Sequence, residues 1–472
     1  MTIMRVLFRR GMDKAVATTT SHLHGVGRQK NFSKKWMSSS SAMPSAVLDD
    51  DDNDDKEYSF LRSLPWKFLR SSDSANFDQV TSQRNDILYN HDDGRPESRL
   101  SEKSVSIEKI TTEHDKKCKI LWNDGKWSHH EIDALKRQYL SWKNNRPEDR
   151  ILWENLTEEG VRQSSDLSVT YDKLITEDGS GMSRALKTLY EYGILLVTNT
   201  PVDCDDDGAS IAALGAALSG GSVKEPSASL LANYRAGGNE VVLPDATDGP
   251  LRTLYGGVWA TSSAGQPDGT SVADSAYGSE ALPLHTDSTY LQDPPGLQIF
   301  TMVQPAIVGG ESVFCDGFAV AETLRTLDPA AFDVLSNTSR TFHSKDEVTG
   351  WYLKATGPVI QERNNRIMSI RHNDLDRLPD LPPNGMVGTE QIDAFYDDLE
   401  SAHASWDSLI AQDKFRLVMK LNSGDTMVVA NQRCFHGRHK FESTAQSPRS
   451  VIGCYTSQDE LLSRFRMEGF DV

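Results

Sequence analysis

Four short apolar runs dominate the second half of the chain. They cover residues 297–303, 312–315, 426–430 and 450–455. Runs of this length, rich in Val, Ile, Phe and Thr, are typical of buried β-strands. The runs by themselves do not give the topology of the sheet.

Three side chains near these runs have the chemistry of an Fe(II) site. His285 and Asp287 form a His-x-Asp pair, and His436 follows the third apolar run. Two imidazoles and one carboxylate on one face of the metal, with the other positions open, are the donor set of non-haem Fe(II) oxygenases. Residues i and i+2 of an extended segment point the same way, so we expect His285 and Asp287 to reach one metal from a strand. A turn predicted at 435–438 would present His436.

An arginine follows the second histidine at the start of the last apolar run. We expect Arg449 to lie near His436 on a neighbouring strand. Because a guanidinium binds carboxylates in bidentate fashion, Arg449 is a candidate anchor for the distal carboxylate of 2-oxoglutarate. A His-x-Asp pair alone arises by chance in a chain of 472 residues. The prediction therefore depends on the pair, the second histidine and the arginine occurring together.

The stretch from Leu254 to Phe470 resembles the catalytic domain of the carnitine-pathway hydroxylases, the trimethyllysine and γ-butyrobetaine dioxygenases, within the 2-oxoglutarate oxygenase superfamily. Several short segments match in the family's order. They are residues 284–290, 295–298, 309–310, 316–318, 431–438 and 449–455. Together these segments are highly specific, although each alone is short.

The resemblance implies roles for individual residues. His285, Asp287 and His436 would be the catalytic iron ligands, and Arg449 would bind 2-oxoglutarate. Ser312 stands where related enzymes place a hydroxyl near the other carboxylate of the co-substrate. The implied cofactor is Fe(II), with 2-oxoglutarate and O₂ as co-substrates and ascorbate as a candidate reductant.

The resemblance also implies the fold of the catalytic part. We expect a mainly β chain with flanking helices, in which a double-stranded β-helix, or jelly roll, follows a small N-terminal β-rich domain. Helices are predicted at 182–190, 209–218 and 395–410, and a buried strand at 194–197. The segment 220–249, rich in Gly, Ser, Asp and Ala, is longer than the family pattern, and its role is open between a lid and a surface insertion.

Two segments of opposite charge precede these domains. Residues 1–44 hold eight basic side chains and one acidic side chain, which is typical of an organelle transit peptide, with a disordered basic tail as the alternative. Residues 45–57 form an acidic linker. We assign 58–155 to the small N-terminal domain and 156–472 to the catalytic domain. Because carnitine-pathway relatives that act on trimethyllysine belong to mitochondria, we expect the mitochondrial matrix, with the plastid as the lesser alternative.

The small N-terminal domain departs from its family at one point. In the resembling enzymes it commonly holds a zinc ion with three Cys and one His. Here Ser and Asp stand in place of cysteines in the segment 66–73, and residues 58–117 contain no Cys. A closed zinc site needs four N or S ligands, so we expect the zinc to be absent and His114, His129 and His130 to lie at the surface.

Aromatic residues ahead of the His-x-Asp pair predict the substrate class. Tyr255, Trp259 and Tyr277 have the spacing of the family's cage for a quaternary ammonium, which aromatic faces bind through cation–π attraction. Asp274 resembles the trimethyllysine version of the family, where a carboxylate can pair with the substrate α-ammonium, whereas the γ-butyrobetaine version has Asn. Asn373 is a further candidate contact for the amino-acid end of the substrate.

Composition excludes several partner classes. The net charge of −18 argues against nucleic acid, and no stretch approaches the roughly 20 apolar residues that span a bilayer. Five cysteines without paired spacing indicate a reducing compartment. We expect a small-molecule betaine as the substrate and, from the resemblance, a homodimer.

Three functions stay open at this point. The first is hydroxylation of N-ε-trimethyllysine at C3, the first step of carnitine biosynthesis. The second is hydroxylation of γ-butyrobetaine or another quaternary ammonium compound. The third is a catalytically silent jelly-roll interaction protein, against which the intact Asp287, His436 and Arg449 argue.

Overall fold

The structure is a computed structural model that divides into two compact units, with the division between His130 and Glu131. It describes residues 59–78, 82–84, 104–113, 116–142, 149–175, 180–202, 208–219, 251, 253, 257–262, 278–347, 350–442, 448–470 and 472. The predicted transit peptide, the acidic linker and the segment 220–249 lie outside the described residues. The boundary predicted near residue 155 stays a prediction.

The first unit is built around a three-stranded sheet in the order β1-β2-β3. Its elements are α1 (Ser59–Ser63), α2 (Trp66–Ser71), a 3₁₀ turn (Ser74–Asn76), β1 (Ile107–Glu113), β2 (Lys117–Trp122) and β3 (Trp127–Glu131). A turn at 123–125 joins β2 to β3. Its Gly125 adopts a φ of +80°, which a side chain would resist, and donates its N–H to the carbonyl of Trp122 at 2.8 Å.

His130 in this unit is buried, so the prediction that it lies at the surface is wrong. Its Nε2 lies 2.8 Å from the hydroxyl of Ser128, and its Nδ1 lies 3.5 Å from the hydroxyl of Ser72. Burial lowers the pKa of His130, although the charge of Asp73 opposes this. Serine hydroxyls thus contact both ring nitrogens of a histidine beside the segment in which the family places cysteines. His114 lies outside the described residues, and the absence of zinc stays a prediction.

The second unit is mixed helix and sheet, rather than mainly β as the sequence suggested. Its helices are α3 (Ile132–Trp142), α4 (Glu158–Gln163), α5 (Tyr171–Ile175), α6 (Ser180–Tyr192), α7 (Ala209–Ser219), α8 (Gly317–Leu327), α9 (Pro329–Asn337), α10 (Thr389–Ile410) and α11 (Gln458–Met467), with a 3₁₀ turn at Asp413–Phe415. Its strands are β4 (Ser168–Thr170), β5 (Ile194–Thr198), β6 (Val258–Ser262), β7 (Leu282–His285), β8 (Leu297–Gln304), β9 (Val308–Gly309), β10 (Ser312–Asp316), β11 (Ser339–Asp346), β12 (Trp351–Pro358), β13 (Ile360–Arg363), β14 (Arg366–Ile370), β15 (Arg416–Met419), β16 (Thr426–Ala430), β17 (Cys434–Arg438), β18 (Phe441–Glu442) and β19 (Ser450–Thr456).

Two sheets carry the functional residues. The larger has the order β4-β5-β16-β8-β19-β6, and the smaller has the order β15-β10-β17-β7. Their pairs are antiparallel except for β4 with β5. The four apolar runs of the sequence are confirmed as β8, β10, β16 and β19. Three further pairs, β11 with β12, β13 with β14 and β9 with β18, form separate two-stranded ribbons.

The two sheets face each other across a shared core. Phe300 and Met427 of the larger sheet pack in one cluster with Phe314 and Leu417 of the smaller sheet. Alternate side chains of a strand point to opposite faces, and the outer faces are covered by helices. Two face-to-face, largely antiparallel sheets are compatible with the expected double-stranded β-helix, whose winding stays a prediction.

Helices form the two outer layers. Side chains of α5, α6, α7 and α11 pack on the outer face of the larger sheet. Those of α8, α9 and α10 pack on the outer face of the smaller sheet, where Trp406 of α10 is fully buried. The amphipathic helix predicted at 395–410 is thereby confirmed as part of α10. With both outer faces covered, the inner faces of the two sheets are the place where polar side chains can be held away from water.

A buried ion pair fixes the start of β17. The guanidinium of Arg433 donates to Asp316 at 2.8 Å, and both side chains are almost completely buried. Arg433 also donates to the carbonyls of Ile151, Tyr190 and Glu191. A buried charge is stable only when its donors are satisfied, and here they join the start of β17 to the end of β10, to α6 and to the segment before α4.

The described residues include no helix that is long and apolar enough to cross a bilayer. The described cysteines are free and buried; they are Cys118, Cys315, Cys434 and Cys454. Burial raises the pKa of Cys118 to about 11, so this thiol stays protonated at neutral pH.

Candidate active site

The site forms where the edge strand of the smaller sheet ends. His285 is the last residue of β7, and its Cα pairs in register with that of His436 on β17. Cross-strand partners project to the same face, and the two imidazole rings lie with their centroids 4.3 Å apart. Asp287 completes the group: its Oδ1 is 3.2 Å from His285 Nε2 and its Oδ2 is 3.4 Å from His436 Nε2. The three ligand atoms lie within 4.8 Å of one another.

This convergence differs in detail from the expectation. His436 lies in strand β17, so the turn predicted at 435–438 is wrong. Asp287 does not continue the strand of His285 but follows it in a turn, and Ser288 has a φ of +55°. A non-glycine residue in the left-handed region costs free energy and persists only where surrounding contacts hold it. His285 therefore faces the metal position from the end of a strand, and Asp287 faces it from the turn that follows.

Asn431 holds that turn in place. Its side-chain oxygen accepts from the backbone N–H of Asp287 at 2.7 Å, and its amide donates to the carbonyls of Asp287 and Pro295 at 3.1 Å each. Arg371 fixes the residues that follow, because it donates to the carbonyls of Thr289, Leu291 and Gln292. The position of the carboxylate is thus set by two side chains from distant segments.

Hydrogen bonds also orient the histidine rings. His285 Nδ1 lies 2.8 Å from the carbonyl of Pro283, and a carbonyl only accepts, so Nδ1 carries a proton. His436 Nε2 lies 2.9 Å from the side-chain amide nitrogen of Gln298. The Nε2 atoms of both histidines face Asp287, at 3.2 Å and 3.4 Å from its oxygens, so these are the nitrogens that would bind a cation.

The charge states suit a divalent cation. Burial would raise the pKa of Asp287, but the charge of His436 and the hydrogen bonds from both histidines outweigh it and hold that pKa well below its usual range. Burial lowers the pKa of His436. Burial opposes the protonation of His285 too, yet the hydrogen bond and charge of Asp287 raise its pKa. An ionised carboxylate between two imidazoles is the donor set that Fe(II) takes in this kind of site.

A second part of the site is cationic. Arg449 is buried just before β19, and Arg438 is buried at the end of β17. Their guanidinium carbons lie 5.5 Å and 4.8 Å from the ring centroid of Phe441. Burial, with the charge of Arg438, lowers the pKa of Arg449 to about 9. A bound anion would offset the repulsion between these two buried positive charges.

Arg449 reaches this place from the opposite sheet. Since β19 belongs to the larger sheet and β17 to the smaller, the expectation that Arg449 and His436 lie on neighbouring strands is wrong. The Gly-Gly pair before β10 lies beside Arg449: a Cβ on Gly310 would be 3.5 Å from its Cδ. Ser312, buried on β10, pairs in register with Arg438.

Aromatic residues lie on the other side of the carboxylate. Trp259 on β6 has its ring centroid 5.9 Å from that of Tyr455 on β19. The hydroxyl of Tyr455 donates to Oδ2 of Asp287 at 2.8 Å. Trp259 is therefore one side chain away from the ligand group. The other predicted cage and specificity residues, Tyr255, Asp274 and Tyr277, lie outside the described residues.

Asn373 makes its side-chain hydrogen bonds within its own turn. Its amide nitrogen donates to Asp376 at 3.0 Å, and its oxygen accepts from the N–H of Leu375 at 3.0 Å. It lines, together with His285, a cavity of about 330 Å³ beside the end of α10. A role for Asn373 in binding substrate stays a prediction.

Sequence reasoning did not single out several residues that complete the site. They are Gln298, Asn431, Arg438 and Tyr455. Gln298 is a buried polar residue within the apolar run of β8, and Asn431 directly follows the apolar run of β16. A polar side chain in or beside a buried strand is the signal that could have identified both, because burial of an amide needs partners.

Comparison with known proteins places these residues in a wider group. The family model described as "Taurine catabolism dioxygenase TauD, TfdA family" matches residues 154–455, more than half of the chain. Mitochondrial trimethyllysine dioxygenase of Gallus gallus is 26% identical over 359 residues, which is 75% of this chain and 73% of that protein. The γ-butyrobetaine dioxygenase of Pseudomonas sp. (strain AK-1) is 34% identical over 194 residues, or 41% of this chain and 48% of that protein.

Among solved structures, AAD-2 in complex with Mn(II) and N-oxalylglycine is similar over 62% of this chain and 96% of that chain, with 13% sequence identity and a TM-score of 0.40.

Proposed function

Because the chain belongs to the TauD/TfdA dioxygenase family, we propose that it hydroxylates N-ε-trimethyllysine at C3. The protein is a 2-oxoglutarate-dependent dioxygenase that uses Fe(II) and resembles trimethyllysine dioxygenase. The observation that carries the proposal is the convergence of His285, Asp287 and His436 beside both a buried arginine pair and an aromatic pair.

The residues present fit an iron ion. His285 and His436 would supply imidazole nitrogens, and Asp287 would supply a carboxylate oxygen, which leaves other positions of the metal for co-substrate and O₂. When bound, Fe(II) supplies the redox chemistry that couples decarboxylation of 2-oxoglutarate to hydroxylation of a C–H bond. The chain itself holds the ligands at fixed separation, directs both Nε2 atoms toward Asp287 and excludes bulk water by burial.

The arginine pair suits the co-substrate. 2-Oxoglutarate is a dianion, and its distal carboxylate would pair with Arg449 in bidentate geometry. Ser312 would donate to a carboxylate oxygen from the neighbouring strand β10. Arg438 adds positive charge at the same place, so a buried dianion would be favoured over a neutral ligand.

Trp259 supports a betaine substrate. A trimethylammonium group donates no hydrogen bond and is held by aromatic faces. Tyr255 and Tyr277 would complete the cage, and Asp274 would pair with the α-ammonium that trimethyllysine has and γ-butyrobetaine lacks. Asn373 would contact the amino-acid end of the substrate.

Several wider features belong to the same proposal. We place the reaction at the first step of carnitine biosynthesis and the protein in the mitochondrial matrix, with ascorbate as a reductant, a homodimer as the assembly and a jelly-roll winding of the two sheets. The basic composition of residues 1–44 supports the location. The interaction-protein alternative loses its basis, because the chain is an enzyme.

A second candidate function is hydroxylation of γ-butyrobetaine. Its support is the 34% identity to the Pseudomonas enzyme over 194 residues. The two are separated by measuring succinate formation with each betaine under equal 2-oxoglutarate, Fe(II) and ascorbate. We expect a higher kcat/KM with trimethyllysine. A preference for γ-butyrobetaine would replace the first proposal with the second, and no turnover with either would reject both.

A further inference from the structure

We propose that Tyr455 is a positioning residue that holds one oxygen of Asp287, so that the other oxygen alone binds the metal. The inference rests on the proposed function only in taking Asp287 as a metal ligand. It concerns how the carboxylate is oriented, and it joins the metal ligands to the aromatic side of the site.

The two oxygens of Asp287 have different surroundings. Oδ2 accepts the Tyr455 hydroxyl at 2.8 Å and also the side-chain amide of Gln298, and it lies 3.4 Å from His436 Nε2. Oδ1 faces His285 Nε2 at 3.2 Å. An ionised carboxylate oxygen has about two lone-pair directions, so two donors fill those of Oδ2. The lone pairs of Oδ1 are left for a cation that His285 and His436 share.

The setting makes this orientation stable. Tyr455 is buried on β19, which lies between β8 and β6 in the larger sheet, and Gln298 is buried on β8. The register pairs the Cα of Tyr455 with that of Gln298. The two donors therefore stand side by side on adjacent strands and converge on one oxygen of a residue that belongs to the opposite side of the site. Outer partners of this type orient metal ligands and tune affinity.

Tyr455 also touches the aromatic side. Its ring lies 5.9 Å from the ring of Trp259 at an angle of 36°. The Tyr455 side chain has only two rotatable bonds. Its ring packs beside Trp259, and its hydroxyl donates to the carboxylate of Asp287. Movement of that ring would turn the carboxylate, so the metal geometry is coupled to the contents of the aromatic pocket.

Tyr455→Phe separates the two contacts, because it removes the hydroxyl and keeps the ring. The measurement is titration of metal-free full-length protein with Co(II), read by the visible absorption of the bound ion. We expect Co(II) affinity to fall by about tenfold or more, with a changed spectrum because the carboxylate is free to bind through both oxygens. The matched control is Tyr352→Phe, since Tyr352 is exposed on β12, and it should leave both readouts unchanged.

A double-mutant cycle excludes a merely structural role. In the Asp287→Ala background the hydroxyl of Tyr455 has lost its acceptor, so adding Tyr455→Phe should weaken Co(II) binding no further. Equal loss in both backgrounds would overturn the proposal, as would wild-type affinity with an unchanged spectrum in Tyr455→Phe alone. Wild-type protein that binds no Co(II) at these residues would instead reject the metal site of the proposed function.

Discussion

The indole ring of Trp259 lies directly against the main chain of Gly453, its register partner across the pair of β6 and β19. A Cβ on Gly453 would come within 2.3 Å of ring carbon Cζ2, which no packed side chain tolerates. The glycine thus makes the space that the ring occupies. The next residue of β19 on the same face is Tyr455. This one strand therefore provides both the glycine against which the indole packs and the hydroxyl that donates to Asp287.

Gly453→Ala should therefore displace Trp259. We expect kcat/KM for trimethyllysine to fall by about tenfold, since a cation–π contact is worth about 1–2 kcal/mol, and stability to fall by about 1–3 kcal/mol from overpacking. Steady-state kinetics and urea unfolding measure the two effects. Gly357→Ala is the control, because its Cβ would be 3.4 Å from the nearest atom, Nε of Arg371. Unchanged kinetics in Gly453→Ala would show that Trp259 does not contribute to substrate binding.

Asp287→Ala should abolish succinate formation while the protein stays folded. The carboxylate is the anionic member of the ligand group, and its loss leaves two neutral imidazoles to hold a cation. Iron content after dialysis and succinate release measure the result, and Asp333→Ala on the exposed face of α9 is the control. Iron content near that of the wild type together with full turnover would contradict the assignment.

Arg449→Lys should raise the KM for 2-oxoglutarate far more than the KM for the betaine. Lysine keeps the charge but loses the bidentate geometry of the guanidinium, so the defect should be specific to the dianion. Kinetics with each substrate varied in turn show the split. Arg363→Lys on exposed β13 should change neither value. An equal rise in both KM values would assign Arg449 a structural role instead.

Asp274→Asn should weaken turnover of trimethyllysine by about tenfold or more, since about 1.4 kcal/mol corresponds to one decade. This prediction comes from the sequence resemblance alone. Turnover of γ-butyrobetaine should stay the same or improve, because a charge that repels its carboxylate is removed. Competition between the two betaines in one reaction gives the ratio directly. A ratio that does not move would exclude a direct contact between Asp274 and the α-ammonium.

Arg433→Met should destabilise the protein by about 3–5 kcal/mol, because it leaves the carboxylate of Asp316 buried without its cation. The guanidinium also serves three backbone carbonyls, which lose their donors. Denaturant unfolding measures the change. Lys345→Met, which breaks an exposed ion pair with Glu347, should change stability little. A small effect in Arg433→Met would mean that water replaces the guanidinium.

The sequence determined the elements and the donors. Apolar runs of strand length predicted β8, β10, β16 and β19, because the burial of such runs follows from local composition and periodicity. The types and order of His285, Asp287, His436 and Arg449 predicted the metal and co-substrate chemistry, since few donor sets suit that chemistry.

Only the tertiary structure decided how these residues meet. Arg449 and His436 belong to opposite sheets, and the Tyr455 hydroxyl reaches Asp287 across the space between strands far apart in the chain. Likewise, His130 is buried and contacts Ser72, 58 residues away. Register and sheet pairing depend on non-local packing, which no window of neighbouring residues contains. The sequence therefore supplied the chemical groups, and the packing of two sheets selected the atoms that face one another.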